Sequence, residues 1–323
     1  MKSKDLTQSA DLTRHGRGTG ALRTRRPEYV DFLPPCNNAC PAGENIQAWL
    51  AHAQDGNYEA AWRELVLNNP LPSIHGRVCY HPCEDVCNRA FTDSAVSIHA
   101  VERFLGDMAL EKDWQFEKPT TTTGRKILVV GAGPSGLSAA YHLTRMGHEV
   151  EIREAGPVAG GMIHFGIPAY RMPRNELQAE INRIENLGVK ITLNHRVEDV
   201  LKEKEEGGFD AIFVAVGAHI SKKIDIPNRD AGKILDAVSF LSQAKEGEPP
   251  KLGRRVAIYG GGNTAMDAAR TAKRLGVDSA MIIYRRDRSS MPAHDFEADE
   301  AMEEGVLINW LRTIKEIDKS TFK

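Results

Sequence analysis

Five cysteines between positions 36 and 87 offer the clearest metal chemistry in this sequence. Cys79, Cys83 and Cys87 are each separated by three residues, and Cys40 lies upstream, directly before a proline. An iron–sulfur cluster needs four converging thiolates, and a proline beside one of them stiffens the loop and shields it from water. Zinc also accepts four sulfurs, but its usual ligand pairs have other spacings. The spacing therefore favours iron–sulfur over zinc, with unligated buried cysteines as a third interpretation.

The stretch Lys126–Gly136, KILVVGAGPSG, joins an aliphatic run directly to a G-x-G-x-x-G turn. The run predicts a buried parallel strand, and the apolar spacing of Leu137–Met146 predicts a helix after the turn. In such a unit the glycines allow a tight turn and a close approach to a pyrophosphate, which the helix N-terminus then faces. Glu154 ends the next predicted strand, His148–Arg153, where a carboxylate accepts from ribose hydroxyls. Together these parts predict a dinucleotide site rather than an ordinary glycine turn.

A second unit of this kind begins at the predicted strand Arg255–Tyr259. The following turn, Gly260–Ala265, has the same fingerprint with alanine in the third place, and a further strand is predicted at Ala280–Tyr284. An NAD site would have an acid after this strand, but the sequence has Arg285 and Arg286. Two guanidiniums suit the 2′-phosphate of NADP because arginine binds phosphate bidentately. The alternative is an ordinary pair of surface arginines.

The elements that must position these residues are predicted from apolar periodicity. Helices are expected around the cysteines, with Asn57 as a cap of the second and Asp93 or Ser94 opening the third. Phe209–Val216 is expected to be another buried strand. The other predicted helices are Ile46–His52, Tyr58–Leu67, Ser97–Met108, Asn175–Leu187, Thr264–Leu275 and His294–Glu304, and the other strands are Val189–Leu193 and Val306–Leu311. The predicted fold class is α/β, with a helical N-terminal iron–sulfur domain followed by two Rossmann-like units with parallel sheets.

Composition changes along the chain predict four segments. Residues 1–30 form a polar arm, which is either solvated or ordered against a partner subunit. Residues 31–118 form the cysteine-rich helical domain, and the polar stretch 111–124 is a linker. Residues 119–222 and 223–323 contain the first and second nucleotide-binding units, respectively.

Overall composition excludes several other classes of protein. The 323 residues are 27% charged and 41% hydrophobic, with a formal net charge of −2, which gives no reason to expect nucleic-acid binding. Apolar runs such as Ala211–Val216 are too short to cross a bilayer. An odd number of clustered cysteines without a visible secretion signal points to a metal site rather than disulfides. We therefore expect a cytoplasmic protein that binds neither nucleic acid nor membrane.

Seven motifs in order resemble the small (beta) subunit of NADPH-dependent glutamate synthase and its relatives. These relatives are the N-terminal half of dihydropyrimidine dehydrogenase, ferredoxin:NADP transhydrogenase and modules attached to 2-oxoacid oxidoreductases. The resemblance runs from about Asp31 to the last residue. The motifs are CNNACPAGENIQAWL, GRVCYHPCEDVCNR, VVGAGPSGLSAAYHL, GGMIHFGIPAYRMP, VAVGA, GGGNTAMDAARTAKRLG and YRRDRSSMPA.

The resemblance implies an oxidoreductase that passes electrons from NADPH through FAD to a [4Fe–4S] cluster and on to a partner. No side chain is expected to act as an acid–base catalyst, because hydride moves directly between stacked rings. The implied cluster ligands are Cys40, Cys79, Cys83 and Cys87. The implied FAD site comprises Gly131, Gly133, Pro134, Ser135, Gly136, Glu154, Gly160 and Gly161. The implied NADPH site comprises Gly260, Gly262, Asn263, Thr264, Arg285 and Arg286.

The sequence departs from the family pattern in two places. Cys36 stands alone, so a second cluster is either missing or completed by a partner, and a free thiol is the simplest alternative. The family chain also returns from its NADPH domain to close over the flavin, whereas this sequence ends at Lys323. The expected partners are a larger catalytic subunit or a ferredoxin-type acceptor, and a second polypeptide that completes the FAD site. The alternative function is a non-catalytic scaffold subunit, or a fragment, that keeps the nucleotide folds without flavin turnover.

Overall fold

The computed structural model describes residues 33–218, 234–244 and 249–317. The predicted polar arm therefore lies outside the described residues. The N-terminal part is helical and packs around Trp49 and Trp62, whose side chains are fully buried. Its helices are α1 (Pro35–Ala39), α2 (Ile46–Gln54), α3 (Tyr58–Val66), α4 (Pro72–Val78), α5 (Pro82–Asp85) and α6 (Ile98–Glu111).

Two predicted helix caps differ from the structure. Asn57 precedes α3 as expected, but its side chain makes no capping hydrogen bond. Helix α6 begins after Ser97, so the prediction that Asp93 or Ser94 opens it was wrong. The side chain of Asp93 instead binds Arg89 and the N–H of Ser94. Short polar side chains compete for several nearby backbone groups, and local sequence alone does not decide among them.

The first nucleotide unit is a parallel sheet with strand order β3-β2-β1-β4. This order follows from right-handed crossovers through helices that cover the sheet. The apolar core of this unit is continuous with that of the helical part, because residues of both belong to one buried cluster. Its elements are β1 (Lys126–Val130), α7 (Pro134–Arg145), β2 (Glu149–Arg153), α8 (Met162–Phe165), α9 (Arg174–Leu187), β3 (Lys190–Thr192), α10 (Val200–Gly207) and β4 (Ala211–Val214).

Strand β4 is shorter and more exposed than the sequence predicts. Among the strands of the described residues, it lies at the end of the sheet and pairs with β1. The side chains of Phe213 and Val214 are 42% and 56% exposed. The prediction that Phe209–Val216 is a buried strand was therefore wrong, although Phe209 itself is buried. A continuous apolar run does not reveal whether its strand is central or at an edge.

The second nucleotide unit has its own parallel sheet, with strand order β5-β6-β7, and its own apolar core. The two sheets and the helical N-terminal part confirm the predicted fold class. No helix in the three described ranges is long and apolar enough to cross a membrane. The elements of the second unit are α11 (Ala237–Gln243), β5 (Arg255–Tyr259), α12 (Asn263–Arg274), β6 (Ser279–Ile283), α13 (Asp295–Glu303) and β7 (Leu307–Asn309).

Helices α4 and α6 pack with their backbones almost in contact because two glycines face the partner helix. A Cβ added to Gly76 would lie 2.4 Å from the backbone nitrogen of Arg103. A Cβ added to Gly106 would lie 2.3 Å from the backbone nitrogen of Ser73. This close packing fixes α4, whose C-terminal end leads directly into Cys79.

A carboxylate from the first nucleotide unit binds the start of helix α4. The N–H groups of Ser73 and Ile74 donate to the two oxygens of Glu180, at 2.9 and 3.1 Å. Glu180 lies on α9 and is fully buried. It accepts from two N–H groups of the first helical turn, where backbone partners are scarce, and Ile74 shares its N–H with the carbonyl oxygen of Leu71. The helical part is thereby fixed to the first sheet unit at α4.

We expect Gly106→Ala to lower the free energy of unfolding by about 1–3 kcal/mol, because the added methyl group overpacks the α4–α6 contact. Urea unfolding, followed by fluorescence of the buried tryptophans, measures this loss. The matched control is Gly253→Ala, whose Cβ would make only an ordinary contact at 3.8 Å. Equal stability of the two variants would contradict the packing argument.

Candidate nucleotide and cluster sites

The first glycine turn leaves the start of α7 open. Gly133 occupies the N-cap position, and no side chain of the described residues caps the helix. Gly131 has φ of +106°, and a Cβ at Gly136 would lie 1.9 Å from the carbonyl oxygen of Gly131. Only glycine fits both positions. The turn therefore aims uncapped N–H groups and the positive end of the helix dipole at one point, as an anion site requires.

Glu154 is held against this turn by backbone donors. Its Oε2 accepts from the N–H of Ala132 and its Oε1 from the N–H of Gly156, both at 2.7 Å. A carboxylate has about four lone-pair sites, so two remain for other donors. The residue therefore has the capacity to accept from ribose hydroxyls in a fixed orientation.

The second glycine pair lies directly on the first turn. The N–H of Gly160 donates to the carbonyl oxygen of Ala132 at 2.8 Å. Gly161 has φ of +51°, and a Cβ there would lie 2.7 Å from the Cα of Gly133. The structure thus brings Gly131–Gly136, Glu154 and Gly160–Gly161 together. A backbone cradle without Cβ atoms fits a dinucleotide that passes close to the chain.

The second glycine turn is more open. Gly262 is the N-cap of α12, and an added Cβ there would meet nothing within 4 Å. No side chain of the described residues caps this helix either. Thr264 is exposed in the first helical turn. The side chain of Asn263 binds Tyr80 and the backbone of His294.

Arg285 and Arg286 follow β6 and are exposed. Within the described residues neither guanidinium forms an ion pair with a carboxylate. The guanidinium carbon of Arg286 lies 6.0 Å from the centre of the Tyr284 ring. Two unpaired guanidiniums after the second strand of a Rossmann-like unit are available to a phosphate on the ribose.

The cysteines lie at the ends of short helices. Cys40 ends α1, Cys79 ends α4, Cys83 lies within α5 and Cys87 follows it. All are unpaired thiols, and Cys83 is buried. No three His, Cys, Asp or Glu residues in the described part of the chain lie close enough to share one metal ion.

The thiols nevertheless influence one another electrostatically. Burial, followed by the nearby charges of Glu84, Cys79 and Cys40, raises the pKa of the Cys83 thiol to about 12. Burial also raises the pKa of Cys40, and hydrogen bonds from the backbone N–H groups of Glu44, Ala42 and Gly43 oppose this rise.

The pKa of Cys79 behaves in the same way. Burial raises it, and the N–H of His81, 3.4 Å from the sulfur, opposes the rise. Backbone donors aimed at sulfur stabilise thiolates, and the mutual repulsion of several thiolates is relieved by a cationic metal centre. Cys40 and Cys79 therefore have surroundings that suit cluster ligands, whereas no backbone donor of the described residues lowers the pKa of Cys83.

A cavity of about 320 Å³ lies where the three parts of the chain meet. Val78 and Tyr80 contribute to it from either side of Cys79. Pro134 contributes from the start of α7, and Thr264 from the first turn of α12. One candidate FAD residue, one candidate NADPH residue and the two neighbours of Cys79 thus border a common space.

Arg171 also lines this cavity and was not predicted as a site residue. Its guanidinium lies 2.9 Å from Asp267 on α12 and 2.5 Å from Glu297 on α13. The charges of these two carboxylates raise the pKa of Arg171 despite its burial, so it stays protonated. Its position in PAYRMP, between two prolines, is a local signal of a fixed loop but does not reveal its distant partners.

Comparison with known protein families matches most of the chain. The pyridine nucleotide-disulphide oxidoreductase model matches residues 125–322. The model described as dihydropyrimidine dehydrogenase domain II, 4Fe-4S cluster, matches residues 32–114. The two matches fall on the nucleotide units and the helical part, respectively.

Relatives with curated names match along almost the full chain. The NADP(+)-dependent formate dehydrogenase subunit beta of Moorella thermoacetica is 38% identical over 95% of this chain and 48% of its own length. The glutamate synthase [NADPH] small chain of Escherichia coli is 32% identical over 94% of this chain and 72% of its own. The chain thus spans about half the length of the first relative.

A solved structure supports the fold. The structure of 2-naphthoyl-CoA reductase covers 78% of this chain and 39% of its own, with a TM-score of 0.52 and 21% sequence identity. The family matches confirm the cofactor set expected from the sequence, which is FAD, NADPH and a [4Fe–4S] cluster. Which residues hold each cofactor stays a prediction.

We expect Cys83→Ser to lose most of the iron and acid-labile sulfide of the anaerobically purified protein, because the cluster loses a thiolate ligand. The same loss is expected when Cys40, Cys79 or Cys87 is replaced by serine. The control is Cys36→Ser, which should keep the metal content of the unmodified protein. Loss of iron from the control alone would overturn the ligand assignment.

Proposed function

The chain belongs to the pyridine nucleotide-disulphide oxidoreductase family, with the glutamate synthase small chain among its relatives, and we propose that it is an electron-transfer subunit. In this proposal electrons pass from NADPH through FAD to a [4Fe–4S] cluster and then to a partner enzyme. We assign residues 31–118 to the cluster, 119–222 to FAD and 223–323 to NADPH.

The single observation that carries this proposal is the shared cavity. It is bordered by the start of α7, the start of α12 and the two neighbours of Cys79. Electron transfer from a nicotinamide to a flavin requires the two rings to be held in contact, and onward transfer requires a nearby cluster. A cavity that adjoins the start of each glycine-turn helix and the neighbours of a predicted cluster ligand supports such a sequence of transfers.

The protein contributes binding and orientation. FAD supplies the step between the hydride of NADPH and the single electrons that an iron–sulfur cluster carries. The N–H groups at the start of α7 bind the pyrophosphate of FAD, and Glu154 accepts from its ribose. The start of α12 binds the pyrophosphate of NADPH, and Arg285 and Arg286 select its 2′-phosphate. Apolar residues such as Ile163 and Ile167 line the cavity and keep water away from the reacting rings.

We also propose the setting in which the subunit works. The first relative is named as the beta subunit of an enzyme and another as a small chain, which supports a larger catalytic partner here. A ferredoxin-type acceptor is the other candidate. No disulfide joins any of the five cysteines, which supports a reducing compartment such as the cytoplasm.

A visible absorbance spectrum, recorded anaerobically before and after NADPH is added, tests the proposed function. We expect flavin bands above a broad iron–sulfur shoulder, with both bleached by NADPH. Protein that contains both cofactors but does not bleach would contradict the proposal. That result would favour a scaffold subunit that keeps the nucleotide folds without turnover.

We expect the double variant Arg285→Ala, Arg286→Ala to lower kcat/KM for NADPH on the order of 100-fold, because charge-assisted hydrogen bonds to the phosphate are lost. The value for NADH should change little. Steady-state kinetics of dye reduction with each nucleotide measure the difference. Arg254→Ala is the matched control. Arg254 is exposed directly before the start of β5, whereas Arg285 and Arg286 follow the end of β6, and it pairs with Asp278. Equal losses for both nucleotides would argue against selection of the 2′-phosphate.

A further inference from the structure

Tyr80 connects the cysteine-containing segment Cys79–Cys87 to the second nucleotide unit. It follows Cys79 directly, and its ring stacks on that of His294 with a centroid distance of 3.9 Å and an interplanar angle of 14°. Its hydroxyl oxygen accepts from Nδ2 of Asn263 at 2.5 Å. One side chain of the helical part therefore contacts both the start of α12 and the residue that precedes α13.

The amide of Asn263 is engaged at both ends. While Nδ2 donates to Tyr80, Oδ1 accepts from the N–H of His294 at 3.2 Å. Asn263 is the first residue of α12, directly after the glycine turn. Its side chain thus faces the helical part instead of the space over the turn. This arrangement gives the side chain of Asn263 a contact with the helical part that the sequence did not predict.

Arg171 repeats this contact pattern one turn further along both helices. Asp267 lies four residues after Asn263, and Glu297 lies three residues after His294, so each pair shares a helix face. Arg171 binds the two carboxylates, and its charge also acts on Tyr80. The second nucleotide unit is therefore held at neighbouring points by Tyr80 from the helical part and Arg171 from the first unit.

We propose that Tyr80 is a positioning residue that holds the NADPH-binding turn at its working distance from the flavin and cluster residues. This inference rests on the proposed function. The phosphate contacts of NADPH lie within the second unit, so that unit can bind the nucleotide without Tyr80. The rate of hydride transfer depends on how the unit is placed, because an error of about 1 Å can cost 100-fold in rate.

The test compares Tyr80→Ala, Tyr80→Phe and Tyr58→Ala in the full chain. Tyr58 is the matched control because it is equally exposed, 38% against 37% for Tyr80, and stacks on Phe104 within the helical part. Rapid-mixing absorbance gives the rate of flavin reduction by NADPH and its dependence on NADPH concentration. We expect Tyr80→Ala to lower the limiting rate at least tenfold with less than a threefold change in NADPH affinity. The limiting rate of Tyr80→Phe should lie between the rates of Tyr80→Ala and Tyr58→Ala.

A second measurement needs no turnover. Amide hydrogen exchange of the nucleotide-free protein reports on the N–H of His294 and on the first turn of α12. We expect exchange there to be about tenfold faster in Tyr80→Ala and unchanged in Tyr58→Ala, because a stacked ring pair and a hydrogen bond are lost. Equal iron content and urea midpoint in all variants establish that each is folded and loaded.

Two results would overturn the inference. One is unchanged exchange at His294 and α12 in Tyr80→Ala, and the other is a loss of NADPH affinity that accounts for the whole loss of rate. Failure of the unmodified protein to react with NADPH contradicts the proposed function instead. Exchange in Tyr80→Ala then still decides whether Tyr80 holds the second unit.

Discussion

The position of helix α4 depends on one buried carboxylate, and much of the remaining structure depends on α4. Burial raises the pKa of Glu180 to about 8, while the N–H groups of Ser73 and Ile74 and the charge of Arg183 act in the opposite direction. Such a group is costly to bury unless its oxygens are satisfied, so its two backbone donors must stay in place. Helix α4 cannot shift along α9 without leaving that carboxylate unpaired. Its far end leads into Cys79 and Tyr80, so this contact determines where the segment Cys79–Cys87 meets both nucleotide units.

Much of this architecture could be predicted because its signals are local. Strand, glycine turn, helix and second strand follow one another in Lys126–Arg153, and the same order recurs in Arg255–Ile283. Gly131 and Gly136 in the first turn each answer a steric need that the structure displays. Glu154 was predicted from its place at the end of a strand, and its carboxylate does face the turn. Such predictions succeed because the residues that constrain each other are neighbours in sequence.

The contacts between units could not be predicted in this way. Glu180 and Tyr80 each look like ordinary helix and loop residues, and their partners lie more than a hundred positions away. The same limitation explains the error at β4, since exposure of an edge strand depends on where the other strands go. Asn263 shows a subtler case, in which a residue within a recognised motif makes its observed contacts with a distant part of the chain. Long-range contacts are selected by tertiary packing, which local periodicity does not report.

The difference in steric freedom between the two glycine turns has a consequence for how the protein can change over time. The first turn is enclosed by backbone atoms, so substitution at Gly131 or Gly136 disturbs the fold itself. The second has open space at Gly262, already tolerates Ala265, and is followed by arginines that no described carboxylate binds. In the proposed function, nucleotide preference therefore lies at residues that the fold does not constrain. Engineering can exchange one reductant for another at the second turn without disturbing the enclosed first turn.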